Sequence, residues 1–173
     1  AFGLAAARVC RSGMDGVDLH ASSGYLIHEF LSPALNKRTD KYGGSAENRL
    51  RFLLEVIASV RGEVGDAAFM VGVRLPNEDF VPGGLTAESN AEIAEAIDPL
   101  VDYISLHMGS YWRFHKLIAP ADDALGLEME ANKAITPLLT KPTIVVGRIM
   151  TLDHASHIVS SGEADMVSMV RAL

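Results

Sequence analysis

Phe69-Met70-Val71-Gly72-Val73-Arg74-Leu75 is the stretch that decides the fold. Its apolar character is nearly continuous, and Val, Leu and Phe dominate it. A strand exposed on one face alternates polar with apolar residues. A strand covered on both faces does not, and that is the pattern of a parallel sheet. The run closes on Arg74-Leu75, so a charged side chain stands at its C-terminal end.

Four other runs share this character: Gly16–His20, Tyr103–His107, Thr143–Gly147 and Asp165–Val170. The segments between them have helical spacing. From Ser45, a candidate N-cap, apolar residues fall at Leu50, Leu53, Leu54, Ile57, Val60 and Val64, and Gly65 ends the stripe. Thr86 caps a second predicted helix through Ile93, Ala94 and Ile97, stopped near Pro99. Glu128–Leu139 reads as a weaker helix because Pro137 falls inside it, and Thr151 caps a last one that ends at Gly162. A first helix, Leu4–Arg11, ends at Gly13.

Strand and helix in repeated alternation imply a parallel sheet with right-handed crossovers. An open doubly wound sheet and a (β/α)8 barrel both satisfy this. Two features favour the barrel. No Gly-rich dinucleotide fingerprint follows any strand, and polar residues close several of them: His20, Arg74, His107, Arg148 and Arg171. In barrels that rim carries the chemistry. The expectation is a single domain over residues 1–173, an α/β partial TIM barrel that is truncated, since a whole one takes about 250 residues.

Composition narrows the partners. The 173 residues are 49% hydrophobic and 21% charged, with a mean hydropathy of +0.19, the balance of a soluble globular domain. No apolar run approaches the roughly 20 residues of a membrane-spanning helix. A net charge of −7 argues against nucleic acid, whose phosphates need a basic surface. The single cysteine, Cys10, reads as a buried helix thiol; it allows no internal disulfide and no cysteine metal cluster. A reducing cytoplasmic setting, a small-molecule substrate and a possible homo-oligomer complete this picture, with no metal site.

The segment from Gly16 to Phe52 reads GVDLHASSGYLIHEFLSPALNKRTDKYGGSAENRLRF. It resembles the signature of the old yellow enzyme family of FMN oxidoreductases. The matching parts are Leu19-His20, Gly24-Tyr25-Leu26, Phe30-Leu31-Ser32-Pro33, and the run from Asn36 through Arg38-Thr39-Asp40 and Tyr42-Gly43-Gly44-Ser45 to Glu47-Asn48-Arg49. Later segments agree in order: Val71–Leu75, Val81–Leu85, Val146-Gly147-Arg148-Ile149, and Ala164-Asp165-Met166-Val167 with Met169–Leu173. The resemblance spans essentially the whole chain and implies about the fourth to eighth strands of the family's barrel. Within the family it is similar to the larger members: 2,4-dienoyl-CoA reductase, trimethylamine dehydrogenase and related N-demethylases.

The resemblance implies FMN as cofactor and NAD(P)H as electron donor, with hydride passing through the flavin to an unsaturated carbonyl. An oxidative N-demethylase acting on a methylated amine is the alternative, and a non-catalytic half-barrel is the rival from another class. A flavin-free barrel isomerase or aldolase is disfavoured, because no lysine sits at a strand end. An iron–sulfur cluster in further domains is implied for the larger members only. Tyr25 is then the proton donor, since a phenol is neutral at pH 7 yet gives a proton when a carbanion develops beside it. His20 hydrogen-bonds substrate or flavin. Ser23 departs from the His or Asn common at its position, which weakens two-point activation of a carbonyl. Arg74 stabilises charge on the flavin pyrimidine. Gly147, Arg148, Met169, Val170 and Arg171 form the phosphate site that follows the last two barrel strands.

His107, Tyr111 and Trp112 are candidates to reach the substrate from the loop after the third run, and the two aromatics suit a cage for a methylated ammonium. The charged run from Asn36 to Arg51 reads as a loop pinned by ion pairs. His28, His154 and His157 read as surface groups.

Overall fold

The computed structural model describes residues 1–65 and 68–170. Helix α1 (Phe2–Arg11) leads into β1 (Gly16–His20), followed by α2 (Leu26–Leu31), α3 (Ala46–Val64), β2 (Met70–Pro76), α4 (Ala87–Ile97) and β3 (Tyr103–His107). The remainder comprises α5 (Phe114–Leu117), α6 (Met129–Asn132), β4 (Thr143–Val145), α7 (Leu152–Ser160) and β5 (Met166–Val167). Every strand pair is parallel, and the sheet order is β1-β2-β3-β4-β5. A doubly wound sheet reverses its strand order at a switch point. This sheet never does; it is an arc of barrel wall, a partial (β/α)8 barrel.

The two faces of the arc differ as a barrel requires. Val71, Val73, Leu75, Ile104 and Leu106 are fully buried and face the helices, where they join Leu53, Ile57, Val60, Ala94 and Ile97 in one core. Residues of the opposite parity line the concave face in layers set by the register. Asp18, Gly72 and Tyr103 share one layer, and His20, Arg74 and Ser105 share the next. Gly72 is required there: a Cβ would lie 2.0 Å from Cζ of Tyr103, whose ring crosses it.

The helices form where their caps allow. Ser45 Oγ accepts from the Asn48 N–H, and Leu53, Val56, Ile57 and Val60 make the buried stripe of α3. Thr86 and Ser89 form a reciprocal capping box on α4. Thr151 caps α7 by accepting from the His154 N–H. Among the described residues, no helix is long and apolar enough to cross a membrane.

Several sequence boundaries change. The expected helix over Glu128–Leu139 is broken into α6 and a 3-10 turn at Thr136–Leu138, because Pro137 offers no N–H and Glu128 and Asn132 are buried as polar groups. β4 stops at Val145, not Gly147, since Gly147 (φ 119°) and Arg148 (φ 50°) leave the extended region. β5 covers only Met166–Val167 of the expected Asp165–Val170. Helix α2 was not foreseen: six residues are too few to show a period. Cys10 lies on α1 as expected but is only half-buried.

Candidate functional site

The loop after β1 turns sharply through two residues with positive φ, Ser23 (65°) and Gly24 (91°). Four bonds set its path. The Ala21 N–H donates to Arg74 O (2.9 Å) and the Tyr25 N–H to Ser22 O (3.2 Å). The Gly24 N–H donates to His28 Nδ1 at 2.6 Å, and the Tyr111 N–H donates to Ser23 O at 3.3 Å. At Gly24 a side chain is also excluded by contact, because a Cβ would lie 2.6 Å from the Trp112 ring. Trp112 thus packs against the loop that carries Tyr25.

Tyr25 emerges at the N-terminus of α2 with its ring half exposed. Its hydroxyl lies 2.7 Å from that of Tyr111, and its ring centroid is 4.8 Å from that of His20. Tyr111 meets Tyr25 edge-on at 5.5 Å and stacks on Phe114 at 6.0 Å. The hydrogen bond to Tyr111 holds the Tyr25 phenol above its ordinary range, with slight desolvation adding to it, which favours the protonated form. Burial, and then the cationic Arg74 and the neighbouring His107 and His28, push His20 below the ordinary imidazole value. His20 is therefore a neutral hydrogen-bonding group at pH 7.

Ser23 sits within the turn itself. It is 4% exposed, and its hydroxyl lies 3.3 Å from that of Ser22, so its place is in the packing of the loop. The expectation for His28 is corrected. Far from being a surface group, it is fully buried in α2, with Nδ1 accepting from Gly24 and Nε2 3.5 Å from Asp79 Oδ2. Asp79 also accepts from Ser32 Oγ and from the Val81 and Leu85 N–H groups. Burial pushes the Asp79 carboxyl up, but the hydrogen bonds from His28, Leu85 and Val81 outweigh it and hold it below the usual carboxylate range. This buried pair ties the Tyr25 loop to the loop after β2.

A cleft of about 430 Å³ is lined by Arg74, His107, Gly147, Arg148, Met169 and Val170, among others. Arg74 reaches Asp18 Oδ2 at 3.3 Å through Nη2, while its Nε is buried without a partner. Burial raises the Asp18 carboxyl, and Arg74 partly offsets this. Arg148 donates from Nη1 to Pro120 O at 2.6 Å, and its Nε is likewise buried and unpartnered. Arg171, the remaining expected phosphate ligand, lies outside the described residues. In the charged run, Arg38 pairs with Asp40 and Arg51 with Glu47, but Arg49 donates to the carbonyls of Leu31 and Gly44 instead.

Three groups of consequence escaped the sequence reading: Asp18, Asp79 and Glu128. Asp18 had a signal, since two residues along a strand from His20 places it on the same face. Asp79 and Glu128 sit in loops, where no period exposes them.

The whole chain, residues 1–173, matches the NADH:flavin oxidoreductase / NADH oxidase family. The chain belongs to that family. It is 36% identical to an NADPH dehydrogenase of Clostridium acetobutylicum, over 100% of this chain and 50% of the relative. It superposes on a 2-naphthoyl-CoA reductase with a TM-score of 0.86 at 33% identity, covering 96% of this chain and 26% of that one. For histamine dehydrogenase from Rhizobium sp. 4-9 the TM-score is 0.89 at 31% identity, covering 98% and 24%. The chain spans between 25% and 50% of the length of the first curated relatives it matches.

The cleft suits the flavin of such oxidoreductases. It offers two buried guanidinium N–H groups without partners, apolar walls from Ile149, Met169 and Val170, and a left-handed Gly147-Arg148 turn at the end of a strand. A flat, largely apolar ring with polar edges and an anionic phosphate matches that set of donors and surfaces.

Proposed function

We propose that this chain forms the catalytic rim of an FMN-dependent oxidoreductase that uses NAD(P)H to reduce the double bond of an unsaturated carbonyl compound. One observation carries the reading. The Tyr25 hydroxyl lies 2.7 Å from that of Tyr111 and its ring lies beside that of His20, which pairs in register with Arg74 of the cleft wall. When bound, the flavin supplies the two-electron chemistry, taking electrons from the nicotinamide and passing them to the substrate.

This chain's residues do the rest. Arg74 and Arg148 line the cleft together with Gly147, Met169 and Val170, and these residues would hold the cofactor. Asp18 orients Arg74 from the layer below. His20, kept neutral by burial and by Arg74, hydrogen-bonds the polar end of the substrate. Tyr25 gives its proton to the substrate carbon opposite the one that is reduced, and Tyr111, in direct hydrogen bond, replaces that proton from solvent. Ser23 takes no part in polarising a carbonyl, which leaves His20 as the donor at that end.

A second reading, oxidation of a methylated amine, has its own observation. Tyr25, Tyr111 and Phe114 form a contiguous aromatic wall, the kind of surface that attracts a quaternary or protonated amine. Trp112 is less available for such a cage, because its ring is spent on Gly24.

The intact protein tests both readings. It should be yellow, and its flavin absorbance should bleach with NADPH or NADH and recover on adding an enone. Bleaching by a methylated amine alone would transfer the assignment to the second reading, and a colourless protein would sink both. Tyr25→Phe should lower turnover about 10²- to 10⁴-fold without changing flavin content. Unaltered turnover would remove Tyr25 from the chemistry.

A further inference from the structure

Glu128 is a carboxylate where the fold has little reason to place one. It is 3% exposed, at the start of α6, in a segment whose neighbours are apolar. Its Oε2 accepts from the Met108 N–H at 2.7 Å and from Asn77 Nδ2 at 3.3 Å. Asn77 Nδ2 also donates to Asn132 Oδ1 at 2.8 Å, and Asn77 O accepts from Asn90 Nδ2 at 3.2 Å. All three asparagines are fully buried. This scaffold leaves Oε1 with one neighbour of interest: Nδ1 of His107, at 3.4 Å. A buried carboxylate is costly unless a hydrogen-bonded partner compensates it, and among the described ion pairs His107 is its counterpart.

The other side of the same imidazole looks outward. His107 closes β3 and lines the cleft together with Arg74, Gly147 and Arg148. Its Nδ1 is buried without a hydrogen bond and lies 3.4 Å from Glu128 Oε1, so Nε2, on the opposite side of the ring, is the nitrogen that faces away from the carboxylate. Space is made for the arrangement at Gly147, where a Cβ would lie 2.4 Å from Glu128 Cγ. The glycine that bounds the cofactor cleft therefore also admits the carboxylate behind it.

We propose that Glu128 is a positioning residue that fixes His107 with Nδ1 protonated and turned inward, so that a bare Nε2 faces the cleft as a hydrogen-bond acceptor for the bound flavin. A carboxylate behind an imidazole selects the tautomer and orientation in this way wherever the far nitrogen has work to do. The inference rests on the flavin reading above but assigns a contact outside the residues that suggested it. His107 then serves the cofactor, not the substrate loop, and Glu128 acts only through it.

The test uses the intact protein labelled with ¹⁵N-histidine, with His107 assigned by its loss in His107→Gln. Long-range ¹H–¹⁵N spectra should show His107 as the Nδ1–H tautomer, and added FMN should shift its Nε2 signal. Glu128→Gln keeps an acceptor for Met108 and Asn77 but can offer N–H to Nδ1. It should therefore turn His107 to the Nε2–H tautomer and weaken FMN binding about five- to tenfold, by equilibrium dialysis. An Nε2–H tautomer in the wild type, or one unmoved by Glu128→Gln, overturns the positioning role. An unshifted Nε2 signal on saturation with FMN overturns the contact. Should Glu128→Gln fail to fold, His107→Gln carries the same affinity test, and unchanged binding overturns the contact. A wild-type protein that takes up no FMN overturns the flavin reading and the contact together, while the tautomer still decides the role of Glu128.

Discussion

The two ends of the arc are built to different standards. β1, β2 and β3 run for 5, 7 and 5 residues, and their outward side chains are sealed under α1, α3 and α4. β4 and β5 run for 3 and 2 residues, and their core is a small separate cluster of Met129, Val145, Ile149, Ile158 and Ala164. On α7, Leu152 and Val159 remain exposed, whereas α3 buries Leu53, Val56, Ile57 and Val60. The thick side carries His20, Tyr25 and Arg74, groups whose chemistry depends on placement to a fraction of an ångström. The thin side carries Gly147, Arg148 and Met169, which line the cleft. Its order comes from polar links, such as Thr143 with Asp165 and Arg148 with Pro120, as much as from apolar burial. Local stability follows buried apolar contact, so the thick side should open last and the thin side first.

The comparison is broken most severely at Asp79. Asp79→Ala leaves His28, Ser32 and two backbone N–H groups without their buried acceptor and should cost about 3–5 kcal/mol. Urea denaturation should show this as a loss of stability of the whole domain, with faster amide exchange throughout β1–β3. Loss confined to the loops around Asp79 would mean that the thick side is not one cooperative unit. A smaller and more local effect is expected at Gly147. Gly147→Ala places a Cβ at φ 119° against the Glu128 side chain and should cost about 1–3 kcal/mol. Amide exchange should quicken in β4, β5 and α6, and FMN affinity should fall, while β1–β3 keep their protection. Equal loss in both halves would erase the distinction.

The same asymmetry governs what could be read in the sequence. Val71, Val73 and Ile104 announce their strands because a strand buried on both faces has no polar alternation to hide it. At the thin end the rule overshoots. Val146, Met169 and Val170 are apolar because they line a cleft, and pattern alone does not separate a cleft wall from a strand. Tyr25, His20 and Arg74 stand out through the fixed spacing of a family signature, and the fold brings His20 against the Tyr25 ring and into register with Arg74. His28 lies inside that signature, yet its burial was missed, because a histidine between Leu26-Ile27 and Phe30-Leu31 shows its partner only when Asp79 is folded against it. Glu128 had no signal at all: its meaning depends on Asn77, Met108 and His107, which reach it across long stretches of chain.

The finest test sits where the two halves meet, on Arg74. Its cation disfavours the imidazolium of His20, and burial disfavours it more, so His20 titrates below its ordinary 6.5. Arg74→Gln removes the smaller cause and leaves the larger. The His20 midpoint, followed by NMR in the flavin-free protein, should therefore rise toward 6.5 without reaching it. The sign carries into stability. A depressed folded-state pKa means that the unfolded chain takes up the proton first as the pH falls below 6.5, so the wild type loses stability from there down to the folded midpoint. In Arg74→Gln that loss should shrink, and the Asp18 carboxyl, deprived of its guanidinium, should move higher still. A His20 midpoint that stays in place would show that Arg74 does not set it, and that the charge on the cleft wall does not reach His20.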